Sequence, residues 1–382
     1  ILKDEFEGIR ARGQYNITSR GDNPRYFASI TGGTKFGADD RGSILLNYSY
    51  DKDTGLLSRK RAISAEDCVG IVCGPASYSS FSAQGQFILT NGSELGGLAD
   101  TYSFNADNNL IAGRGVGFNR NAVRRIATPL ERHLVSGIAK YALTDSIDLY
   151  GEATYAKVKS EASLEPSALA FGAISNADVA TGYGIDNPFI PTALAGIIAA
   201  RNGDADATND VTSISFRRRF NEVFDRSNRA SRDTWRAVAG IRGDIAPKWN
   251  FDASYVYGRV RDSNSSEDVD TRRLANALDA ITLNGQIVCR SEAARAEGCA
   301  PINLFGFNTA SPEASAYVQA VVPKSQVITN EQHVATASIS GNFAALPAGD
   351  IGVAFGGEYR KEKAVDDLDI LTNTGGNSGN QI

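Results

Sequence analysis

Residues 8–17 read Gly-Ile-Arg-Ala-Arg-Gly-Gln-Tyr-Asn-Ile, so apolar and polar side chains alternate almost without interruption. The apolar or small residues occupy one set of alternate positions: Ile9, Ala11, Gly13, Tyr15 and Ile17. Because successive side chains of a β-strand point to opposite faces, this segment predicts a strand with one apolar and one charged face. About eight further segments repeat the pattern, which predicts an all-β, antiparallel fold of about nine strands.

Aromatic residues mark both ends of the second such segment, at Tyr26 and Phe36. With a rise of about 3.4 Å per residue and a tilt of about 45°, this spacing covers roughly 24 Å along a membrane normal. That distance is close to the height of the apolar band of an outer-membrane β-barrel. The spacing therefore predicts strands that cross a membrane between two aromatic girdles.

The alternation and the intervening turn residues predict nine strands in all. Their approximate ranges are 7–19, 26–36, 44–50, 130–143, 147–158, 232–245, 249–257, 333–343 and 350–363. After the first hairpin, short turns alternate with connections of roughly 70 residues. Transmembrane barrels have this asymmetry, with short periplasmic turns and long extracellular loops. A soluble β-sandwich is the alternative, but such long connections on one side are uncommon in compact domains.

The long connections also contain segments with helical character. Ser311 followed by Pro312 is typical of an N-cap and a first-turn proline, which predicts a helix over 314–322. Apolar residues at helical spacing predict a second helix over 268–281, and a short apolar run predicts a third over 193–201. We interpret their apolar stripes as packing surfaces within the loops.

Composition and charge exclude several classes of function. The net charge is −5 with 22% charged residues, and the basic residues are dispersed, so no nucleic-acid partner is indicated. No apolar run approaches the roughly 18 residues of a membrane-spanning helix. A membrane location remains open, because a closed β-barrel is the other structure that can span a bilayer.

The four cysteines form two pairs that are close in sequence and lie in long loops. They are Cys68 with Cys73, and Cys289 with Cys299. We predict two local disulfides formed in an oxidising compartment. A metal site is the alternative, but the only histidines, His133 and His333, both lie at predicted strand positions.

Sequence signals for catalysis are lacking. No Ser-His-Asp set and no metal-ligand spacing occur. The glycine-rich residues 113–117 do not complete a nucleotide-binding motif, and no βαβ unit surrounds them. We therefore predict that the chain is not an enzyme and holds neither a cofactor nor a metal.

Four stretches resemble segments of one protein family. They are residues 1–8, 187–191, 301–306 and 356–362, which read ILKDEFEG, NPFIP, PINLFG and GGEYRKE. In their order and spacing they resemble the TonB-dependent outer-membrane receptors, over nearly the whole chain. Residues 1–8 look like the junction at which the plug domain of such a receptor ends and the barrel begins.

The resemblance implies a 22-stranded barrel with a plug in its lumen, in the outer membrane of a Gram-negative bacterium. It also implies a TonB box through which the TonB–ExbB–ExbD complex drives import. The chain has no methionine, begins at Ile1 and ends in a loop-like stretch. We therefore expect residues 1–382 to be a partial barrel domain, without the plug, the TonB box and the C-terminal strands, that transports nothing by itself.

Charged residues predicted to point inward form the first group of functional candidates. In a plugged barrel they would line the lumen or contact the plug, whereas the alternative is that they only keep a wetted wall soluble. These residues are Arg10, Arg12, Glu152, Arg236, Arg242, Asp244, Asp252, Glu358 and Arg360.

Basic and aromatic residues of the long loops form the second group. Guanidinium groups bind carboxylate, phosphate or catecholate-type anions, while aromatic rings stack on sugar or ring faces. The alternative is that these arginines are solvated or paired locally. The candidates are Arg114, Phe118, Arg120, Arg124, Arg125, Arg217, Arg218 and Arg219.

Together these features predict part of a receptor that captures a scarce nutrient, of the siderophore, cobalamin or oligosaccharide class, and imports it actively into the periplasm. Its expected partners are outer-membrane lipid, the plug, the TonB complex and a small-molecule or oligosaccharide ligand. A passive porin is one alternative. A soluble secreted adhesin or carbohydrate-binding protein is another.

Overall fold

The largest element of the protein is a nine-stranded antiparallel β-sheet, which we call the wall. It is seen in a computed structural model that describes residues 6–91, 98–171, 183–223, 226–374 and 376. Its strands neighbour one another in chain order, which confirms the predicted all-β antiparallel fold class. We number them β1 to β9: Gly8–Asn16, Arg25–Phe36, Gly42–Asp53, Leu130–Ala142, Ile147–Ser163, Ser227–Ala246, Trp249–Val269, Gln319–Leu346 and Gly349–Leu368.

Several wall strands extend further toward the long loops than the alternation predicts. β7 continues to Val269 and β8 begins at Gln319, whereas the sequence predicts an end near 257 and a start near 333. The additional residues of β7 carry mainly polar side chains on both faces, as in the segment 261–268. Alternating polarity predicts a strand only where its two faces differ in polarity. The additional length of β7 was therefore not predicted.

Backbone register assigns each wall side chain to one of two faces, because directly paired residues point to the same side. One row of paired residues crosses all nine strands. From β1 to β9 it contains Ile9, Gly32, Leu46, Gly137, Ala153, Ala237, Tyr257, His333 and Lys361. We call this side the apolar face, and the opposite side, which carries Arg10 and Arg12, the polar face.

The apolar face leaves large hydrophobic side chains uncovered by any other described element. Trp235 and Phe355 keep 51% and 67% of their surface exposed. Toward the long loops the rings of Tyr155 and Trp235 lie 4.2 Å apart, and toward the short turns those of Phe36 and Tyr141 lie 6.2 Å apart. A contiguous exposed apolar surface marks contact with a partner or a membrane.

The connections differ between the two ends of the wall. One end has only short turns, at residues 37–41, 143–146, 247–248 and 347–348. The other end has the short turn 17–24 and three long connections, at residues 54–129, 164–226 and 270–318. The wall therefore has the predicted asymmetry, and we call the three long connections together the loop layer.

The loop layer contains a second antiparallel sheet, which the sequence did not predict. Its strands, in spatial order, are Ala168–Phe171, Ser213–Arg219, Gln86–Thr90, Thr101–Phe104 and Leu110–Ala112, with Tyr183–Gly184 also paired to the second of these. Three small pairs accompany it: Leu56–Leu57 with Arg125–Ala127, Cys68–Val69 with Val72–Cys73, and Ala280–Leu283 with Gln286–Cys289.

Helices are short and lie mainly in the loop layer. They are α1 Thr192–Asn202, α2 Thr271–Leu278, α3 Glu292–Ala296, α4 Pro312–Val318 and α5 Ile370–Asn373. The three predicted helices are present, but two are shorter than predicted: α2 lies within 268–281, and α4 ends at Val318 because residues 319–322 pair with β7 as the start of β8. Ser311 Oγ accepts a hydrogen bond from the Ala314 amide at 3.1 Å, as expected of an N-cap. Single 3₁₀ turns occur at Ala38–Asp40, Ser58–Lys60, Ala62–Ser64, Pro75–Ser77, Leu98–Asp100, Arg120–Ala122 and Ala207–Asn209. Among the described residues no helix has the length and apolar character to cross a membrane.

Among the described residues, one hydrophobic core joins the three long connections. Phe87 comes from the first, Phe216 from the second and Leu304 from the third, and each is at most 1% exposed. Burying one such side chain stabilises a fold by about 1.5–3 kcal/mol. The loop layer is therefore a packed unit with its own core, mounted on one end of the wall.

Candidate functional site

Two surfaces of the protein are candidates for function, namely the polar face of the wall and the loop layer. Register places all nine charges that the sequence predicts to point inward on the polar face. They are Arg10, Arg12, Glu152, Arg236, Arg242, Asp244, Asp252, Glu358 and Arg360. Each strand alternates in phase with its neighbours, so one charged surface runs across the wall opposite the apolar face.

Several of these charges lie beside a partner of opposite sign. Arg236 Nη1 is 2.9 Å from Glu152 Oε2, and Arg360 Nε is 3.0 Å from Glu358 Oε1. These four side chains remain between 31% and 52% exposed. Exposed ion pairs contribute only about 0–1 kcal/mol to stability. The pairs can therefore exchange partners with another charged surface at small energetic cost.

Aromatic rings accompany the charges on the polar face. Arg12 Nη2 donates to Gln14 Oε1 at 2.9 Å, and its guanidinium lies 5.5 Å from the ring centre of Phe27. Tyr150 Oη donates to the carboxylate of Asp252 at 3.2 Å. The polar face thus presents both charge and ring surface to whatever lies against it.

Arg218, a predicted ligand-binding residue, is buried inside the loop layer. Its Nη2 donates to the Gly306 carbonyl oxygen at 2.8 Å and contacts the Glu222 carboxylate. Burial of an unpaired charge is costly, and the Glu222 carboxylate supplies the opposite charge within this core, while Nε and Nη1 have no hydrogen-bond partner among the described residues. Arg218 follows the buried Phe216 on the same side of its strand, which explains its direction.

Arg219 is also buried and joins two of the long connections. Its Nη1 donates to the Pro166 carbonyl oxygen at 2.6 Å, and its guanidinium lies 4.7 Å from the ring centre of Phe118. Burial lowers the pKa of Arg219 to about 10, although the nearby Glu165 carboxylate acts in the opposite direction. Neither Arg219 nor Arg218 offers an exposed surface to a ligand.

Arg124 forms a bidentate ion pair with Glu165. The Nε–Oε2 distance is 2.7 Å and the Nη2–Oε1 distance is 2.6 Å. Burial is the largest influence and raises the pKa of Glu165, but the hydrogen bonds from Arg124 and the backbone, together with the positive charges of Arg124 and Arg219, outweigh it, so the pKa lies below its usual value. Because only 13% of the Glu165 side chain is exposed, this pair fastens the first long connection to the second.

The remaining loop candidates differ in exposure. Arg120 pairs with the buried Asp67, with an Nε–Oδ2 distance of 2.8 Å. Arg125 and Arg217 are half-buried, and Arg114 is exposed. The structure thus does not gather the eight candidates into one open surface. Within the set, Arg114 has the greatest freedom to meet a ligand from solution.

Both cysteine pairs are joined as disulfides, Cys68 to Cys73 and Cys289 to Cys299. The first closes a two-stranded hairpin whose tip, 69–72, is apolar and projects from the loop layer. Its Ile71 is fully exposed. This exposed apolar tip was not predicted from the sequence. The available signal was the apolar and glycine run 69–72 between two cysteines that are close in sequence.

The loop core was the main feature that sequence reasoning missed. In Ser213–Arg219 the buried residues alternate with more exposed ones over most of the strand, which was the available signal, whereas in Gln86–Thr90 every residue except Ile88 is buried. Each strand is short and is followed by irregular chain, so the periodicity covers too few residues to distinguish it from chance.

Metal-binding and nucleotide-binding geometry is lacking within the part of the chain that the structure describes. No group of three or more His, Cys, Asp or Glu side chains there is placed to hold a metal ion. The glycine-rich residues 113–117 follow a three-residue strand and lead to no α-helix. Residues 1–5 of the predicted plug junction lie outside the described residues.

Comparison with known proteins gives structural similarity only. No model of a known protein family matches the chain, and no curated protein matches it. Among solved structures, it is similar to the siderophore receptor PiuA from Acinetobacter baumannii, at 12% identity and a TM-score of 0.33, over 96% of this chain and 44% of that one. It is also similar to the ferric-catecholate import receptor Fiu from E. coli K12, at 8% identity and a TM-score of 0.31, over 93% of this chain and 46% of that one. The chain thus spans less than half the length of either protein.

Proposed function

We propose that residues 1–382 form part of the barrel domain of a TonB-dependent receptor in the outer membrane of a Gram-negative bacterium. The observation that carries the proposal is the apolar face, which continues in register across nine strands and is left uncovered. Each large apolar side chain there gains about 1.5–3 kcal/mol on leaving water. Lipid around the barrel would remove all the side chains of the apolar face from water together. The polar face would then line a lumen that is filled with water or with a plug.

The loop layer is the proposed capture surface for a scarce nutrient of the siderophore, cobalamin or oligosaccharide class. It lies at the end of the wall that would face the exterior, and its internal core holds it in a defined shape. Arg114 is the proposed first contact for an anionic ligand, because its guanidinium is exposed. Arg124, Arg218 and Arg219 instead support the layer from within.

The polar face is the proposed path and plug-contact surface. Its exposed ion pairs, such as Arg236 with Glu152, can open toward a plug or a polar solute at low cost. Active import would then depend on a plug and on the TonB–ExbB–ExbD complex, with the energy of the inner-membrane proton gradient. No step of this scheme involves covalent chemistry by the chain.

Two successive experiments test the proposal, first cell fractionation and then nutrient uptake. We expect the protein in the outer-membrane fraction, released only by detergent. Uptake by cells expressing the full receptor should rise for one of three supplied nutrients, namely ferric siderophores, cobalamin or oligosaccharides, and should collapse when TonB is deleted. Recovery in buffer without detergent would contradict the membrane assignment and favour a soluble secreted protein. Uptake that persists without TonB would favour a passive porin.

A further inference from the structure

The glycine-rich residues 113–117 of the loop layer, which we call the glycine loop, are anchored at both ends. The Gly113 amide donates to the Thr101 carbonyl oxygen at 2.7 Å. At the other end, Phe118 and Ser79 exchange two backbone hydrogen bonds, at 2.9 and 3.0 Å. Only residues 114–117 lie between the two anchors, so the glycine loop has little freedom to change its shape.

Glycines hold the loop directly against the layer. A Cβ on Gly115 would lie 2.6 Å from Ser103 Oγ, and a Cβ on Gly117 would lie 2.7 Å from the Ser79 carbonyl oxygen. Gly113 and Gly115 also have positive φ angles, of 86° and 64°, which side chains with a Cβ rarely adopt. A larger residue at these positions would therefore force the loop away from the layer.

The backbone of the glycine loop offers hydrogen-bond donors that the protein does not use. The amides of residues 114–117 donate to no backbone or side-chain acceptor within the described part of the chain. Residues 114–116 are exposed, so the layer does not cover them. The φ angle is positive at Gly113 and Gly115 but not at Arg114 between them. Successive amides in such an alternation form concavities that bind anions.

Arg114 adds a positive charge to these donors. Its side chain is exposed and forms no ion pair with any described residue. In this it differs from Arg120 and Arg124, which pair with Asp67 and Glu165. An unpaired guanidinium beside free amides, in a loop of fixed shape, provides a preorganised site for an anion.

We propose that the glycine loop binds a phosphate group of the captured nutrient, and the inference rests on the proposed function of the loop layer. The number of donors favours phosphate over carboxylate. A carboxylate offers two acceptor oxygens, whereas a phosphate monoester offers three and carries a charge of about −1.5 to −2 at pH 7. Four amides and one guanidinium can supply each of the three phosphate oxygens with at least one hydrogen bond.

Isothermal titration calorimetry of the detergent-purified full receptor tests this inference, with glucose 6-phosphate as the probe. Glucose and citrate are the comparison ligands without phosphate. We expect glucose 6-phosphate to bind at least tenfold more tightly than citrate, and glucose to show no binding. Inorganic phosphate distinguishes the two sources of the group, because it should bind equally if the sugar makes no contact and more weakly if the sugar contributes.

Two variants test the charge and the amides separately. Arg114→Gln should weaken glucose 6-phosphate binding about tenfold, because it removes a charge-assisted contact. Val116→Pro should weaken it severalfold, because proline has no amide hydrogen. The matched control Val116→Ala keeps that donor and should bind normally. Arg272→Gln is the matched control for charge, since Arg272 is another exposed arginine of the loop layer and pairs only with the exposed Glu297 among the described residues.

Three results would overturn the inference: no binding of glucose 6-phosphate, citrate binding of equal affinity, or unchanged binding by both Arg114→Gln and Val116→Pro. An equal loss of binding in the two control variants would also overturn it, because the effect would then not belong to the guanidinium and the amide. All of these results leave the proposed function standing, since detergent release and TonB-dependent uptake are measured separately. Release without detergent would instead contradict the proposed function, whatever the calorimetry shows.

Discussion

The wall and the loop layer are both antiparallel β-structures, but they place their hydrophobic side chains in opposite environments. In the loop layer, Phe87 and Phe216 are at most 1% exposed and pack against residues from all three long connections. In the wall, Trp235 and Phe355 are more than half exposed, although they belong to an equally regular strand pattern. The loop layer thus supplies its own apolar surroundings, whereas the wall requires them from outside. Under the proposed function, the apolar face is the side that a membrane would cover.

The largest expected effect is the creation of a cavity in the loop core. Phe216→Ala should lower the free energy of unfolding of the loop layer by about 3–5 kcal/mol, because the packed surroundings cannot fill the space. Hydrogen exchange of the Ser213–Arg219 amides measures the change. Phe355→Ala on the apolar face is the matched control and should cost less, since mobile lipid chains leave no cavity. Equal losses would mean that the two regions do not differ in packing.

A charge on the wall should distinguish its two faces. Ile30→Arg, in the middle of β2 on the apolar face, should destabilise the protein in lipid vesicles by about 2–4 kcal/mol, because the guanidinium enters hydrocarbon. Its neighbour Thr31 points to the polar face, so Thr31→Arg should change stability by less than about 1 kcal/mol. Reversible urea unfolding in vesicles measures both. A larger cost for Thr31→Arg would reverse the assignment of the faces.

The smallest of the three effects compares a buried ion pair with an exposed one. Glu165→Gln should lower the stability of the loop layer by about 1–3 kcal/mol at neutral pH, because Arg124 loses a charge-assisted partner. Glu152→Gln on the polar face should cost no more than about 1 kcal/mol, since its partner Arg236 stays hydrated.

The Glu165 contribution should also depend on pH. The folded protein lowers the pKa of Glu165 below its usual value of 4.5, so the stabilisation is complete above about pH 4.5 and is lost as the pH falls through the lowered pKa. Urea unfolding of the loop layer at several pH values checks this sign. A Glu165→Gln variant that retained the same acid sensitivity would show that another group is responsible.

The fold of the wall was largely predictable, while the loop layer was not. The neighbouring sequence alone predicts that Ile9 and Arg10 lie on opposite faces of β1, because side chains in a strand alternate in direction at every residue. Arg218 and Arg219 look like a basic surface cluster in the sequence, and only the core around Phe216 shows that both are buried. Arg124 likewise gives no local sign that its partner is Glu165, which lies in a different connection.

The sequence by itself determined that the chain forms amphipathic strands, that one face of each is apolar, and that long connections alternate with short turns. These properties follow from side-chain order within a few residues and from turns that pair adjacent strands. Tertiary structure alone decided which loop residues share a core, which arginines are buried, and where the glycine loop is anchored. Those contacts join residues far apart in the chain, and packing selects them by shape and burial, which no local pattern records.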